Sequence, residues 1–383
     1  MREKRRNRAA QKQNTPATIK EGFDLPFFVF VILLLSVGLV MLFSASHANA
    51  FDRFGDSYYF IKQQAKWAIL GLVGMFVATY VCTPAFLKKM ALPALGISIV
   101  LLALVPIIGV TKNGAKRWLG VGDLTFQPSE IAKVAVILAF AYLMSNNQKK
   151  MNTFRGGILP YGIILVVVCG LIAVEKHISA TVLTFAVGII MMVAGGSNLV
   201  WLCSFGAAGV AGVVGIILNS SYAMQRVKVW LDPFIDPRGD GFQNIQSLYA
   251  IGSGGFFGLG LGKSRQKYMY IPEPQNDFIF AIACEELGFL GALIIISLFA
   301  LLIWRGFVIA FRAPDRFSAL VVVGIISKVA IQTVLNIAVV TNLVPNTGIP
   351  LPFFSYGGTA LLIQLCEMGV VLAISRYSRL RRS

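Results

Sequence analysis

The sequence predicts an all-α polytopic membrane protein of about ten transmembrane helices, with a large extracellular loop between helices 7 and 8. The 383 residues are 56% hydrophobic and only 13% charged, against roughly 25% charged in an average soluble domain. Mean hydropathy is +0.74. The apolar residues are gathered into runs close to the ~20 residues that cross a bilayer.

Taken in order, residues 1–24 are rich in Arg and Lys and poor in apolar side chains, a basic arm expected to stay in the cytoplasm. The run Leu25 to Phe43 is longer than the ~7–15 apolar residues of a signal peptide, so it reads as an uncleaved first helix in spite of Ala48-Asn49-Ala50. Further apolar runs at 65–83, 90–110, 129–145, 157–174, 179–195, 199–219, 278–304, 317–341 and 354–375 complete ten spans. The membrane domain then covers 25–375, and 376–383 form a basic cytoplasmic tail. An even number of spans puts both termini on one side.

Charge tests that topology. The net charge of +17 would suit nucleic acid, but the Lys and Arg residues lie in short segments and tails beside apolar runs, the pattern of topogenic charge. Nucleic acid is therefore not an expected partner. More than half of the 34 basic residues fall on the side assigned to the cytoplasm. The short outer segment 111–127 departs from the rule by carrying Lys112, Lys116 and Arg117, which suggests a task for them. The outer segment 220–277, roughly 58 residues, is too long to be a simple connection. Within it, Tyr222 to Leu231 reads as an interfacial helix, and Gln243 and Gln246 as part of a helical turn.

Asp277 stands out in Ile271 to Gly288, IPEPQNDFIFAIACEELG. Pro272 and Pro274 suit the residues just before a helix, so the helix is expected to begin near Asn276 or Asp277. An acid there meets the positive end of the helix dipole at headgroup level. Six charges fall inside apolar runs: Glu130, Lys133, Glu285, Glu286, Lys328 and Glu367. Such charges are costly and mark function or structural ion pairs. Glu130 and Lys133 share one helical face with each other, at a depth similar to that of Asp277, whereas Glu285 and Glu286 lie about 12–14 Å deeper and read, with Lys328 and Glu367, as pairs that lock the bundle.

The run Gly252 to Lys263, GSGGFFGLGLGK, superficially resembles a phosphate-binding loop, but the glycine a Walker motif needs is Phe257. Its amides, with Lys263, Arg265 and Lys267, could still face a pyrophosphate. Tyr356-Gly357-Gly358 within PNTGIPLPFFSYGG reads as an outer loop entering the last helix. The five cysteines show no paired spacing, which leaves the redox compartment open. Two histidines cannot supply a histidine-rich metal cluster; a carboxylate-held divalent cation, Mg or Mn at Asp277, remains.

Four blocks, Lys112 to Lys133, Gln243 to Gly262, Ile271 to Gly288 and Asn346 to Gly358, resemble hallmark blocks of the SEDS family (shape, elongation, division and sporulation). The resemblance runs from the first span to the last, and SASHANAF after the first span looks closer to the division members. One departure is Glu175-Lys176-His177-Ile178-Ser179-Ala180-Thr181, where many members read Pro-Asp-Xaa-Gly-Thr.

The resemblance implies a peptidoglycan glycosyltransferase that polymerises lipid II outside the plasma membrane, at the division septum, with a class B penicillin-binding protein transpeptidase and other division proteins. The alternatives are a lipid II flippase, an elongation polymerase or a scaffold. Asp277 matches the family's essential acid and is expected to be the base. Lys116, Arg117, Lys263 and Arg265 are candidates for the pyrophosphate, and Glu130 with Lys133 for tuning the base or contacting substrate. Gln243 and Ser355, inside two of the blocks, complete the substrate-binding candidates.

Overall fold

The computed structural model describes residues 22–377 apart from 113–114, 122–123, 220, 240 and 269. The basic arm up to residue 21 and the tail from residue 378 lie outside the described residues. Twelve α-helices and a small sheet are described: α1 (Leu25–Phe54), α2 (Tyr59–Val81), α3 (Pro84–Ile108), β1 (Val110–Lys112), β2 (Ala115–Val121), β3 (Leu124–Phe126), α4 (Pro128–Asn146), α5 (Leu159–Val174), α6 (Ile178–Ala194), α7 (Leu199–Asn219), α8 (Ser221–Leu231), α9 (Phe242–Gly254), α10 (Ile279–Phe311), α11 (Arg316–Val340) and α12 (Gly358–Arg376). Among the described residues eight helices are long and apolar enough to cross a membrane, and α6 and the first part of α7 are shorter apolar helices. All ten expected runs are therefore helical, eight of them at full spanning length.

Local chemistry sets several helix ends. Asp24 caps α1 by accepting from Phe27 N at 3.1 Å, and its carboxylate also holds Arg305 of α10 through two bonds of 2.9 and 2.8 Å. Helix α1 runs unbroken through Ala48-Asn49-Ala50 and stops only at Gly55, in the left-handed region with φ 66°. Thr83 caps α3 and Asp315 caps α11 in the same way, each accepting from the amide three residues on. Helix α12 begins at Gly358, four residues after the apolar run does, because the chain first makes a turn in which Phe354 N and Ser355 N both donate to Leu351 O.

Three regions differ from the sequence expectation. Residues 110–126 are an antiparallel three-stranded sheet, not plain loop, in the order β1-β2-β3. Helix α10 starts at Ile279, two residues after Asp277. The segment between α7 and α10 is not purely an outer loop, since α9 and the glycine run after it pack along α10.

The third difference has a backbone cause. Helix α10 is broken at Gly288 (φ 67°, ψ −167°). The glycine run pairs with the broken turn: Leu259 N donates to Glu285 O at 2.9 Å, Gly260 N to Glu286 O at 3.0 Å, and Phe289 N to Gly255 O at 2.9 Å. A Cβ on Gly288 would collide with Gly258 N, so two backbones this close need glycine on both sides. Irregular chain at membrane depth is tolerated because its polar groups are satisfied by protein. The amides of Gly258, Leu259, Gly260 and Lys263, within the run read as a possible phosphate cradle, are thus already engaged by protein carbonyls.

The deep charges are engaged by partners within the bundle. Glu286 accepts from Lys267 Nζ at 2.9 Å and from Ser44 Oγ of α1, with both members of the ion pair wholly buried. Glu285 accepts from Arg265 N at 2.9 Å and from Ser264 Oγ. Lys328 and Glu367 form a second buried pair at 2.6 Å between α11 and α12. With α4, these two helices are the most enclosed spans, 67%, 67% and 61% buried for α4, α11 and α12. Charge in the centre of the bundle is thus ion-paired or, at Glu285, hydrogen-bonded to a hydroxyl and backbone amides, as the low-dielectric interior requires.

Candidate active site

Two loops and two helix ends converge on Asp277. The acid lies in the turn before α10 and is only partly buried. Its main-chain oxygen accepts from Asn336 of α11 at 2.8 Å, and the same amide reaches Ile349 O at 2.7 Å. Tyr356 N donates to Gln275 O at 2.8 Å, so the acid's loop and the proline loop 345–357 are cross-tied twice. Gln332 holds Pro350 O at 2.9 Å, and Gln64 of α2 holds Ser355 O and Gly357 N, each at 3.2 Å. The carboxylate is thereby mounted on anchored backbone, the support a catalytic group needs.

A cavity of about 630 Å³ opens beside it. Asp277, Arg117, Glu130, Lys133, His177 and Ser355 are among its lining residues. Arg117, on β2, donates to Lys176 O at 2.6 Å and to Glu175 O at 3.3 Å, which locks the sheet onto the turn between α5 and α6. Lys133 pairs with Glu130 at 2.7 Å. Gly348 stands so close that a Cβ on it would be 3.2 Å from Asp277 Oδ2. With φ at +69°, glycine is the residue that suits this position.

Burial pushes the Asp277 carboxyl up to about 6, and Glu273 pushes the same way, while Arg226 and Arg117 pull it down. The carboxylate is therefore largely ionised at neutral pH yet basic enough to take a proton, the balance expected of a general base. Glu175 is pushed up further, to about 8, by burial that Arg117 only partly offsets. Neither of its carboxylate oxygens has a hydrogen-bond partner.

The sequence candidates divide on this geometry. Asp277, Arg117, Glu130, Lys133 and Ser355 meet at one cavity. The Ser355 hydroxyl is used within its own turn, accepting from Leu351 N at 2.7 Å. Lys116 is exposed on β2, and Lys263 and Arg265 are exposed on the segment after the glycine run; the three are not among the lining residues. Gln243 sits behind the wall, bonded to Pro272 O and to Asn346 at 3.3 Å each. Sequence reasoning overlooked Arg226, His177 and Asn336. Only His177 carried a signal, as part of the turn that departs from the usual pattern.

Comparison with known proteins decides the lineage of this arrangement. The model of the cell cycle proteins typified by FtsW, RodA and SpoVE matches residues 25–380. The chain belongs to the FtsW/RodA/SpoVE family. It is 42% identical to stage V sporulation protein E of Bacillus subtilis (strain 168), over 94% of this chain and 99% of that one. It is 40% identical to the probable peptidoglycan glycosyltransferase FtsW of Geobacter sp. (strain M18), over 94% and 98%. Among solved structures, it resembles a chain from a peptidoglycan synthase complex that coordinates polymerization and crosslinking, with TM-score 0.77, 29% identity and coverage of 92% and 98%. Rod shape determining protein RodA of Thermus thermophilus matches with TM-score 0.68, 26% identity and coverage of 92% and 97%. The family's multi-pass membrane fold is the one described above, and sporulation and division members stand equally near in sequence.

Proposed function

We propose that the protein is a peptidoglycan glycosyltransferase that polymerises lipid II on the outer face of the plasma membrane, with Asp277 as the general base. The observation that carries this reading is one partly desolvated carboxylate, on cross-tied loops, facing a cavity that also holds Arg117 and Lys133. In the reaction the acceptor hydroxyl loses its proton to Asp277 as its oxygen bonds to the donor sugar's C1. The bond from C1 to the pyrophosphate breaks with its electron pair, inverting the centre and releasing undecaprenyl pyrophosphate. Positive charge near the departing group lowers the barrier to that step, and Arg117 and Lys133 are the cations placed to supply it.

Among the described residues no three His, Cys, Asp or Glu side chains are grouped to hold a metal. Asp277 alone fits a magnesium or manganese ion shared with substrate phosphates, which needs only one or two protein carboxylates. Such an ion would supply further positive charge for the leaving pyrophosphate.

The charge bias puts both termini in the cytoplasm and the cavity outside. A similar chain's place in a synthase complex that couples polymerization to crosslinking supports a transpeptidase of the class B penicillin-binding type as partner, and the likeness of SASHANAF to the division members supports a place at the septum.

The test is polymerisation of purified lipid II by the purified chain, alone and with candidate transpeptidases. The wild type is expected to build glycan strands and Asp277→Ala none. Polymer made by Asp277→Ala at the wild-type rate would overturn the base assignment. Transfer of lipid II across liposomes without polymer would favour a flippase instead.

A further inference from the structure

His177 lies at the start of α6 on the wall of the Asp277 cavity. Its Nδ1 is 2.9 Å from Gln127 Nε2. An amide NH2 can only donate, so Nδ1 accepts and the ring proton resides on Nε2. Among the described residues no protein group bonds Nε2, and that nitrogen is not among the buried atoms left without a partner. It therefore opens to the cavity.

The groups around the ring keep it uncharged. Burial, then Arg117 on β2 and Lys133 on α4, drive the imidazole down to about 3, against the opposing pull of Glu130. Glu175, in the same turn, has its carboxyl raised to about 8 and so is mostly neutral at pH 7. Nothing beside the ring favours an imidazolium strongly enough to offset two cations and desolvation.

Resting on the glycosyltransferase reading above, the geometry points to His177 as a substrate-binding residue, a neutral donor of fixed tautomer whose Nε2–H takes an oxygen of the bound lipid-linked sugar. The acceptor is an oxygen of the saccharide or of its pyrophosphate, both of which take a neutral N–H.

The experiment compares His177→Phe, which keeps a ring and loses the donor, with His177→Gln, which keeps a neutral N–H near the Nε2 position. Initial rates are measured with purified lipid II between pH 5 and 8, after checking by size exclusion and thermal unfolding in detergent that each variant is folded. His177→Phe is expected to raise KM by roughly three- to tenfold, the ratio carried by one neutral hydrogen bond, and His177→Gln to restore most of it. Undecaprenyl pyrophosphate as competing product separates the acceptors: inhibition weakened in His177→Phe assigns the pyrophosphate, and unchanged inhibition assigns the saccharide. Wild-type KM in a folded His177→Phe protein overturns the inference. A wild type that makes no polymer under any condition would count against the glycosyltransferase reading itself.

Discussion

Asn336 ties the acid to the proline loop, because its Nδ2 donates both to Asp277 O at 2.8 Å and to Ile349 O at 2.7 Å. The side chain is fully buried, so neither carbonyl has water to turn to if the amide is lost. Asn336→Leu, of similar volume, is expected to lower kcat about 10- to 100-fold by letting the base drift from its productive position. Initial rates at saturating lipid II, in protein that still elutes as a folded species, would check this.

Asp277 should trade stability for activity. Its carboxyl is raised from the ordinary aspartate range to about 6, so the native state holds a proton that the unfolded chain has released between about pH 4 and 6. Stability falls with pH across that window and the loss is complete above it. Asp277→Asn is therefore expected to abolish polymerisation while raising the unfolding temperature at pH 7.5. In the wild type, kcat/KM should fall about tenfold per pH unit below about pH 6.

Glu175 gives a second pH signature of the same sign. With a folded-state pKa of about 8, the buried acid is protonated in the native protein where the unfolded chain is ionised, so its stability contribution is lost as pH rises from about 4.5 to 8. Glu175→Gln is expected to stabilise the protein on the order of 2 kcal/mol at pH 7.5 and to flatten that pH dependence. Unfolding temperatures of both proteins from pH 5 to pH 8.5 measure the difference.

The Lys267–Glu286 pair, 2.9 Å and wholly buried, anchors the segment after the glycine run to the first turns of α10, the helix that follows Asp277. Lys267→Met leaves a buried carboxylate without its cation and is expected to cost about 3–5 kcal/mol. Lys267→Met combined with Glu286→Gln removes both charges and should recover most of that. Apparent unfolding temperatures in detergent for the two singles and the double form the cycle.

Much of this was legible in the residues. Apolar runs of bilayer length located helices, eight of them of full spanning length among the described residues, because a chain in lipid must satisfy its backbone within each segment. Pro272 and Pro274 placed a helix start two or three residues before the observed one. The sheet at 110–126 was not legible, since its longest strand has seven residues and glycines interrupt any alternation of apolar side chains. The glycine run was ambiguous for a different reason. Glycine permits close backbone approach without naming the partner, which for Gly258 is the broken turn of α10.

Sequence by itself determined the membrane fold, the paired character of the intramembrane charges and the acid at the mouth of α10. Each follows from a local cost: an unpaired amide in lipid, an unpaired charge in a low dielectric, a proline in a helix. Tertiary structure decided which charges met. Lys267 found Glu286 across 19 residues, Lys328 found Glu367 across 39, and Arg117, His177 and Asn336 came to Asp277 from three separate elements. Such meetings depend on how whole helices pack, a property spread over hundreds of contacts, so no stretch of the chain carries them alone.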